Sequence, residues 1–270
     1  MEWREREGIR WLEASLPDAT AAFSTRGGGV SDPPFDSLNL GALTDDGVEA
    51  IVENRRLLAA ALGFPPDRIA FAHQVHGAEL MVHAGSPPFS FASPEVASAQ
   101  RDRVEPPISR VGAVSLDELV PAADGHVIAE PGVAGLVFVA DCVPVALSGP
   151  NGAAILHCGW RGLAAGILAK GVAAIAATDA AIGPSIGPCC YEVGPEVLTA
   201  FERLGDGIAA DRMLDLPEVA RRLLLEVGVE RAELSGLCTS CEPGLFFSHR
   251  RDEGRTGRQA GLVWRQAGEG

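Results

Sequence analysis

Gly135-Leu-Val-Phe-Val-Ala-Asp-Cys-Val-Pro-Val-Ala-Leu-Ser-Gly-Pro-Asn-Gly-Ala-Ala-Ile-Leu-His-Cys158 holds two aliphatic runs separated by a cluster of turn residues, Ser148 to Gly152. Branched and aliphatic runs bounded by Gly, Pro and Asn predict strands. The first, Gly135 to Ala140, ends at Asp141-Cys142, and the second, Ala153 to Leu156, ends at His157. If the two extend over 135–147 and 152–158 as a hairpin, the turn centres near Pro150. Antiparallel pairing then sets Cys142 and His157 beside each other or one position apart. A register slip of one residue would bring Cys158 forward instead of His157.

Outward from this hairpin, strand signals alternate with helix signals. Residues 20–41 read as a short strand running into the glycine-rich loop Gly27-Gly-Gly29. The spacing predicts a helix from Val48 to Leu62, with Asp46 and Glu49 as a capping box and Gly63 as the stop. Ile69 to Val82 reads as extended, interrupted at His76-Gly77. Arg161 to Ala177 predicts a helix of small residues, and further helices are expected over 195–204 and 217–227, the latter with Asp215 near its cap. The tail from Leu234 holds a final strand or two and the basic residues Arg250, Arg251, Arg255 and Arg258. Residues 84–123 carry Ser-Pro-Pro, Ser-Pro and Pro-Pro with little periodicity, and predict a long surface insertion. Hairpins mixed with strand–helix alternation point to an α+β fold with mixed sheets. No strong linker divides the chain, so a single domain over 1–270 is expected.

Composition narrows the function. The chain has 270 residues, 47% hydrophobic and 21% charged, which suits a folded globular protein and excludes disordered and fibrous classes. No apolar run reaches the roughly 20 residues of a bilayer span. The first eight residues mix both charge signs and lack the apolar core of a signal peptide, so a cytoplasmic location is expected. A net charge of −14 disfavours nonspecific nucleic-acid binding, yet a local arginine cluster could still hold a small anion. Lys170 is the sole lysine. No membrane or protein partner is expected.

Six cysteines stand at 142, 158, 189, 190, 238 and 241, and six histidines at 73, 76, 83, 126, 157 and 249. Without an export signal, free thiols are expected rather than a disulfide framework. A neighbouring Cys142 and His157 fit three readings: core packing, a nucleophilic thiol activated by imidazole, or part of a zinc site that keeps an open position. The metal reading needs a third donor, and His76 in Gln74-Val-His-Gly77 is the candidate, with His73 and His83 as chemical rivals. Cys238-Thr-Ser-Cys241 is a single CxxC without a second ligand pair, which reads as structural or incidental thiols, and Cys189-Cys190 reads as packing near the site.

Several blocks occur together and in order: Phe23-Ser-Thr-Arg-Gly-Gly-Gly-Val-Ser31, Ser37-Leu-Asn-Leu-Gly41, His73-Gln-Val-His-Gly77, Ala140-Asp-Cys-Val-Pro-Val145, His157-Cys-Gly-Trp-Arg-Gly162, Gly183-Pro-Ser-Ile-Gly-Pro-Cys-Cys-Tyr-Glu-Val-Gly194, Cys238-Thr239, Phe246-Phe-Ser-His-Arg-Arg-Asp252 and Thr256-Gly-Arg-Gln259. Together they resemble the YfiH-like laccase-domain family, whose members have been called polyphenol oxidases, purine nucleoside phosphorylases and peptidoglycan editing factors. The resemblance covers most of the chain. It implies a layered α/β/β/α fold with mixed sheets and a zinc site formed by His76, Cys142 and His157. It also implies phosphorolysis of adenosine, inosine, guanosine and methylthioadenosine, with adenosine deamination beside it. Three departures from the family stand out: Cys158 where alanine is more usual, a longer stretch between Gly77 and Asp124, and an extra histidine, His73, near the candidate metal ligand.

Around such a centre, Arg26 in its glycine-rich loop is the first candidate for phosphate or ribose, because a guanidinium forks oxyanions and glycines expose N–H groups. Arg161 could serve similarly, and Gln74 and Asn39 are candidates for base or ribose. Asp141 is a candidate acceptor for a metal-bound imidazole or an acid–base group. Arg26 and Arg161 have competing roles in turns and Asp141 a competing structural role, and Gln74 and Asn39 are the weaker candidates. Six histidines are too few for a type-1 copper centre plus a trinuclear cluster, although copper could replace zinc at a His–Cys–His set. The alternatives are a copper-dependent polyphenol oxidase, a metal-free Cys–His hydrolase such as a peptidoglycan editing factor, and a noncatalytic zinc-binding module.

Overall fold

The computed structural model describes residues 1–85, 87, 90–91 and 120–267. Most of the expected insertion at 84–123 therefore lies outside the described residues. Two six-stranded mixed sheets carry the architecture. The first runs β1 (Glu2–Arg6), β2 (Ile9–Leu16), β3 (Ala19–Ser24), β14 (Gln259–Arg265), β7 (Ala134–Val139), β4 (Ile69–Ala70). The second runs β13 (Arg231–Leu234), β10 (Asp179–Ile182), β8 (Val143–Gly149), β9 (Gly152–Cys158), β6 (Gly125–Ile128), β5 (Leu80–His83). A short ribbon of β11 (Ala209–Ala210) and β12 (Met213–Leu214) lies apart.

The period-two alternation of each strand splits its side chains between two cores. In β7, Leu136 joins the core beneath α1 (Val48–Leu62), whereas Val137 and Val139 face the other sheet. In β8 and β9, Val143, Val145, Leu147, Ala154 and Leu156 face the helices α3 (Ile167–Ile175) and α5 (Leu216–Glu226). Ala146, Ala153 and Ile155 face the first sheet. Three successive cores thus stack helix, sheet, sheet and helices, the expected α/β/β/α order.

The β8–β9 hairpin forms, with Gly149 opposite Gly152 and Pro144 opposite His157. The single run expected over 135–147 is divided. At Ala140-Asp141-Cys142 the chain leaves β7 in one sheet and enters β8 in the other, and Asp141 takes a left-handed φ of 88° to make the crossing. Cys142 consequently sits one residue before β8, on the face shared with Ala146.

Three other boundaries differ from the sequence reading. The helix expected over 161–177 is two pieces, α2 (Trp160–Ala164) and α3, parted at Gly166 with φ 83°. Ile69 to Val82 is extended only at its ends, because His76 turns with φ 59°. Helix α1 spans the expected residues and stops at Gly63, φ 79°, but has no capping box. Gly47 is its N-cap, and the Asp46 carboxylate instead accepts from Ser31 Oγ at 2.6 Å and Asn39 Nδ2 at 2.9 Å, closing the 31–46 loop. Helix α4 (Pro195–Phe201) is shorter than expected and runs on as a 3-10 turn, Glu202–Leu204. Asp215 does cap α5, accepting from the Glu218 N–H at 3.0 Å.

Candidate metal centre and its cavity

Strand parity sends His157 toward the intersheet face, because it follows Ala153 and Ile155 by two-residue steps. Cys142 arrives on the same face from the crossing between the sheets. His76 comes from the loop between β4 and β5. The donor atoms of His76, Cys142 and His157 all lie within 4.8 Å of one another. The two imidazole rings meet edge to face, with centroids 4.8 Å apart and planes at 71°.

One buried carboxylate organises both histidines. Strand β6 pairs with β9 with Gly125 opposite Leu156, which places Asp124 opposite His157. Asp124 Oδ1 meets His157 Nδ1 at 2.8 Å and accepts from the His76 N–H at 2.9 Å. Its other oxygen accepts from the N–H groups of Gly77 at 2.7 Å and Val75 at 3.2 Å. The tight turn at His76 is thereby anchored to the strand that faces His157. Burial works to raise the Asp124 pKa, but the His157 imidazole and these N–H groups more than offset it and hold it below the usual carboxylate range.

The trio's electrostatics follow from its packing. Burial opposes ionisation of Cys142, yet the imidazoles of His157 and His76 outweigh it and lower the thiol to about 6. Burial likewise opposes the His157 cation, and Cys142 with Asp124 raises it to about 9. The metal-free chain therefore favours a thiolate beside an imidazolium. Cys158 points the other way, into the helix-facing core, where burial first and then the nearby Cys142 and Asp124 charges push its thiol up.

The donor set suits a borderline-soft divalent ion: one thiolate, two imidazoles, and a carboxylate behind one imidazole that fixes its tautomer. Gly159 keeps room beside them, since a Cβ there would stand 3.2 Å from Cys142 Sγ and 3.0 Å from His76 Cδ2. The residues present thus fit a zinc or copper ion held by three protein ligands.

The trio opens into a cavity of about 550 Å³. Trp160, Tyr191, Phe71 and Phe138 give it flat apolar walls, and Arg55, Arg161, Arg250 and Arg258 also line it. Asp141 is the one carboxylate among the described lining residues. A chain of net charge −14 therefore presents a locally cationic cavity.

The structure separates the remaining candidate residues. Arg161 and Gln74 line the cavity. Arg161 stacks over the Trp160 ring at 4.5 Å, and Gln74 is engaged at both ends of its amide by the Phe138 N–H and C=O, at 2.7 and 2.8 Å. Arg26 and Asn39 are not among the lining residues. Arg26 pairs with Asp36 at 3.0 Å and lies over the Phe247 ring at 4.6 Å. Asn39 is buried, donates to Thr44 and Asp46, and accepts from the N–H groups of Gly41 and Arg258. Asp141 accepts from Thr239 Oγ1 at 2.7 Å and from the Arg250 N–H at 2.6 Å, while the carboxylate on the His157 imidazole is Asp124.

Two residues beyond the sequence reading matter here. Asp124 carried no motif of its own. Arg55 did leave a signal: with Val48, Ile51 and Leu58 it occupies the buried, helix-periodic face of α1. It is 2% exposed, its Nε donates to Leu40 O at 3.0 Å, and its Nη2 has no hydrogen-bond partner among the described residues. The rings of Phe71, Phe91 and Phe138 surround the guanidinium at 5.1 to 5.3 Å. Burial lowers its pKa to about 9, which leaves it cationic at neutral pH.

Residues 20–266 match the family described as multi-copper polyphenol oxidoreductase laccase. The chain belongs to this family. Among laccase-domain relatives, the purine nucleoside phosphorylase YlmD of Geobacillus stearothermophilus is 35% identical, across 97% of each chain. The purine nucleoside phosphorylase YfiH of Escherichia coli is 37% identical, across 97% of this chain and 96% of its own. The crystal structure of YlmD from Geobacillus stearothermophilus superposes with a TM-score of 0.80 at 34% identity, covering 98% of both chains. That of a Bacillus licheniformis protein, YfiH, gives 0.79 at 32%, covering 98% and 99%. Both therefore share the α+β fold found here along nearly the whole chain. No described helix of the laccase-domain chain is long and apolar enough to cross a membrane.

Proposed function

We propose that this chain is a zinc-dependent purine nucleoside phosphorylase acting on adenosine, inosine, guanosine and methylthioadenosine, with adenosine deaminase activity beside it. The observation that carries the reading is a buried guanidinium, Arg55, with an unpartnered Nη2 in the same cavity as the His76, Cys142 and His157 donors. A desolvated cation without a counter-ion is costly unless an anion completes it. Inorganic phosphate has the charge and the size, and the aromatic walls suit a purine. The names borne by the relatives agree with this substrate class.

In phosphorolysis a phosphate oxygen bonds to ribose C1′ as the bond from C1′ to the purine nitrogen breaks. The bonding pair leaves with the base, which takes up the proton that hydrogen phosphate brought, and the products are free base and ribose 1-phosphate. Arg55, with Arg161 or Arg258 nearby, holds the phosphate and offsets its charge as the sugar becomes cationic. Trp160 or Tyr191 lies against the flat base. Asp124 holds His157 in one tautomer and keeps the His76 turn in place. Zinc held by His76, Cys142 and His157 would supply Lewis-acid polarisation of a substrate or water oxygen. Deamination consumes water and releases ammonia at C6 of the same base.

The thiolate beside an imidazolium at Cys142 and His157 favours one second reading, a metal-free Cys–His hydrolase. Copper on the same three donors would serve the oxidase chemistry in the family's description. Purified protein of measured metal content, given adenosine with and without phosphate, tests all three. Ribose 1-phosphate formed only with phosphate, and lost on chelation, is the expected result. Turnover that survives chelation with neither phosphate dependence nor base release, or phenol oxidation by copper-loaded protein alone, would overturn it.

A further inference from the structure

Two loops outside the His–Cys–His centre bring four thiols to one point. Cys189 and Cys190 lie between β10 and α4, and Cys238 and Cys241 follow β13. The Sγ atoms of all four lie within 4.8 Å of one another, with Cys189 to Cys241 at 3.3 Å and Cys190 to Cys241 at 3.5 Å. All four are free thiols. We propose that Cys189, Cys190, Cys238 and Cys241 form a second, structural metal site that holds one zinc ion as a tetrathiolate.

Geometry and chemistry support this assignment. A tetrahedral ion with Zn–S bonds of about 2.3 Å spaces its sulfurs by about 3.8 Å, close to the separations found. The Cys238-Thr-Ser-Cys241 spacing is that of a zinc knuckle, and the adjacent pair supplies the two ligands a lone CxxC lacks. The Gly187 N–H donates to Cys238 Sγ at 3.3 Å, a contact that favours thiolate over thiol. Arg251 Nη1 donates to Thr239 O at 2.9 Å, which sets a guanidinium against the knuckle backbone where two net negative charges would remain.

The position gives the ion a task. The two loops already touch through a bridge between Ser185 and Cys238. The first contributes Ile186 and Tyr191 to the cavity wall. The second holds Thr239, whose hydroxyl donates to Asp141 next to Cys142. An ion there clamps the wall of the cavity without touching substrate, and it stands whichever reaction the cavity performs.

Metal analysis with native mass spectrometry on protein purified in reducing, chelator-free buffer tests the proposal. The Cys189→Ser/Cys241→Ser variant is expected to lose one zinc equivalent per chain, and that equivalent is expected to remain in His76→Ala/His157→Ala. A folded Cys189→Ser/Cys241→Ser protein with the parent's zinc content overturns the proposal. If that variant does not fold, cobalt(II)-substituted parent protein decides the matter. Thiolate-to-cobalt charge transfer far stronger than Cys142 alone provides is the expected spectrum, and a one-thiolate spectrum, or disulfides among the four, overturns it.

Discussion

At the scale of single residues, the candidate centre depends on Asp124 as well as on the residues of its recognisable motifs. It accepts from His157 and from three consecutive N–H groups of the His76 turn. Asp124→Asn keeps the volume but presents an amide N–H where N–H groups already converge. Metal affinity should fall about 10–100-fold, as for other carboxylates behind a ligating imidazole, read by competition with a chromogenic chelator. Arg55 gives an opposite pairing of effects. In Arg55→Met the KM for phosphate should rise roughly tenfold or more, since a hydrogen bond to a charged group contributes about 1.5–3 kcal/mol. The melting temperature should hold or rise, because an unpaired buried cation has gone. A melting temperature that falls with an unchanged phosphate KM would assign Arg55 to packing. Neither residue was given a role in the site by the sequence reading. Asp124 becomes visible only when β6 is paired with β9, across a long intervening segment, and an arginine on an apolar helix face is ordinarily read as solvent-facing.

At the scale of elements, the β8–β9 hairpin was the most legible part of the chain, because turn residues and aliphatic runs mark both strands and the turn. The register differs from the expected one, since Pro144 stands opposite His157 and Cys142 is two positions away rather than at most one. Its tip is also tightly enclosed. A Cβ on Gly149 would stand 2.5 Å from Ile175 O and 2.6 Å from Ala176 O at the end of α3. Gly149→Ala should therefore cost about 1–3 kcal/mol, measured as a lower urea midpoint. The helix α1 was equally clear from its periodicity and its Gly63 stop. The split of 135–147 between two sheets was not, since both sheets ask for the same aliphatic alternation and only a left-handed Asp141 marks the crossing. The break at Gly166 was hidden for a related reason: a glycine among alanines resembles the rest of a small-residue helix. The N-terminal strand β1 went unassigned because it is wholly exposed, whereas β2 buries Ile9, Trp11, Leu12 and Ala14 and was legible but went unassigned.

For the whole molecule, the acidic excess meets a set of carboxylates that folding has made more acidic. Asp179 at the start of β10 accepts from Arg231 at 2.6 Å; burial raises its pKa, but Arg231 and Thr178 hold it below the usual range. Hydrogen bonds from Arg221 lead those that lower Glu218, at the start of α5, to about 2. A carboxylate depressed by folding stabilises the folded state fully above its unfolded pKa and loses that contribution as pH falls through the folded value. Burial also holds His83 and His126 below the ordinary imidazole range, His126 at about 3. Stability should therefore fall as pH drops below about 6.5, where only the unfolded chain protonates these histidines, and fall further below the ordinary carboxylate range, about pH 4. Asp179→Asn should shallow that acid slope while lowering stability at pH 7, read from urea midpoints across pH. The layered order was legible mainly through the family resemblance, since periodicity indicates α+β but not which faces stack.

One further feature reaches beyond this catalytic reading. His73 donates its N–H to Pro121 O at 3.0 Å, and Ala123 donates back to His73 O at 3.0 Å. The chain on either side of residues 86–119 is thus stapled at its base, immediately before Asp124 takes hold of the His76 turn. Changes of length beyond that tether should leave the grip of Asp124 on the His76 turn intact, whereas a change that displaced Phe91 would open the ring cage around Arg55.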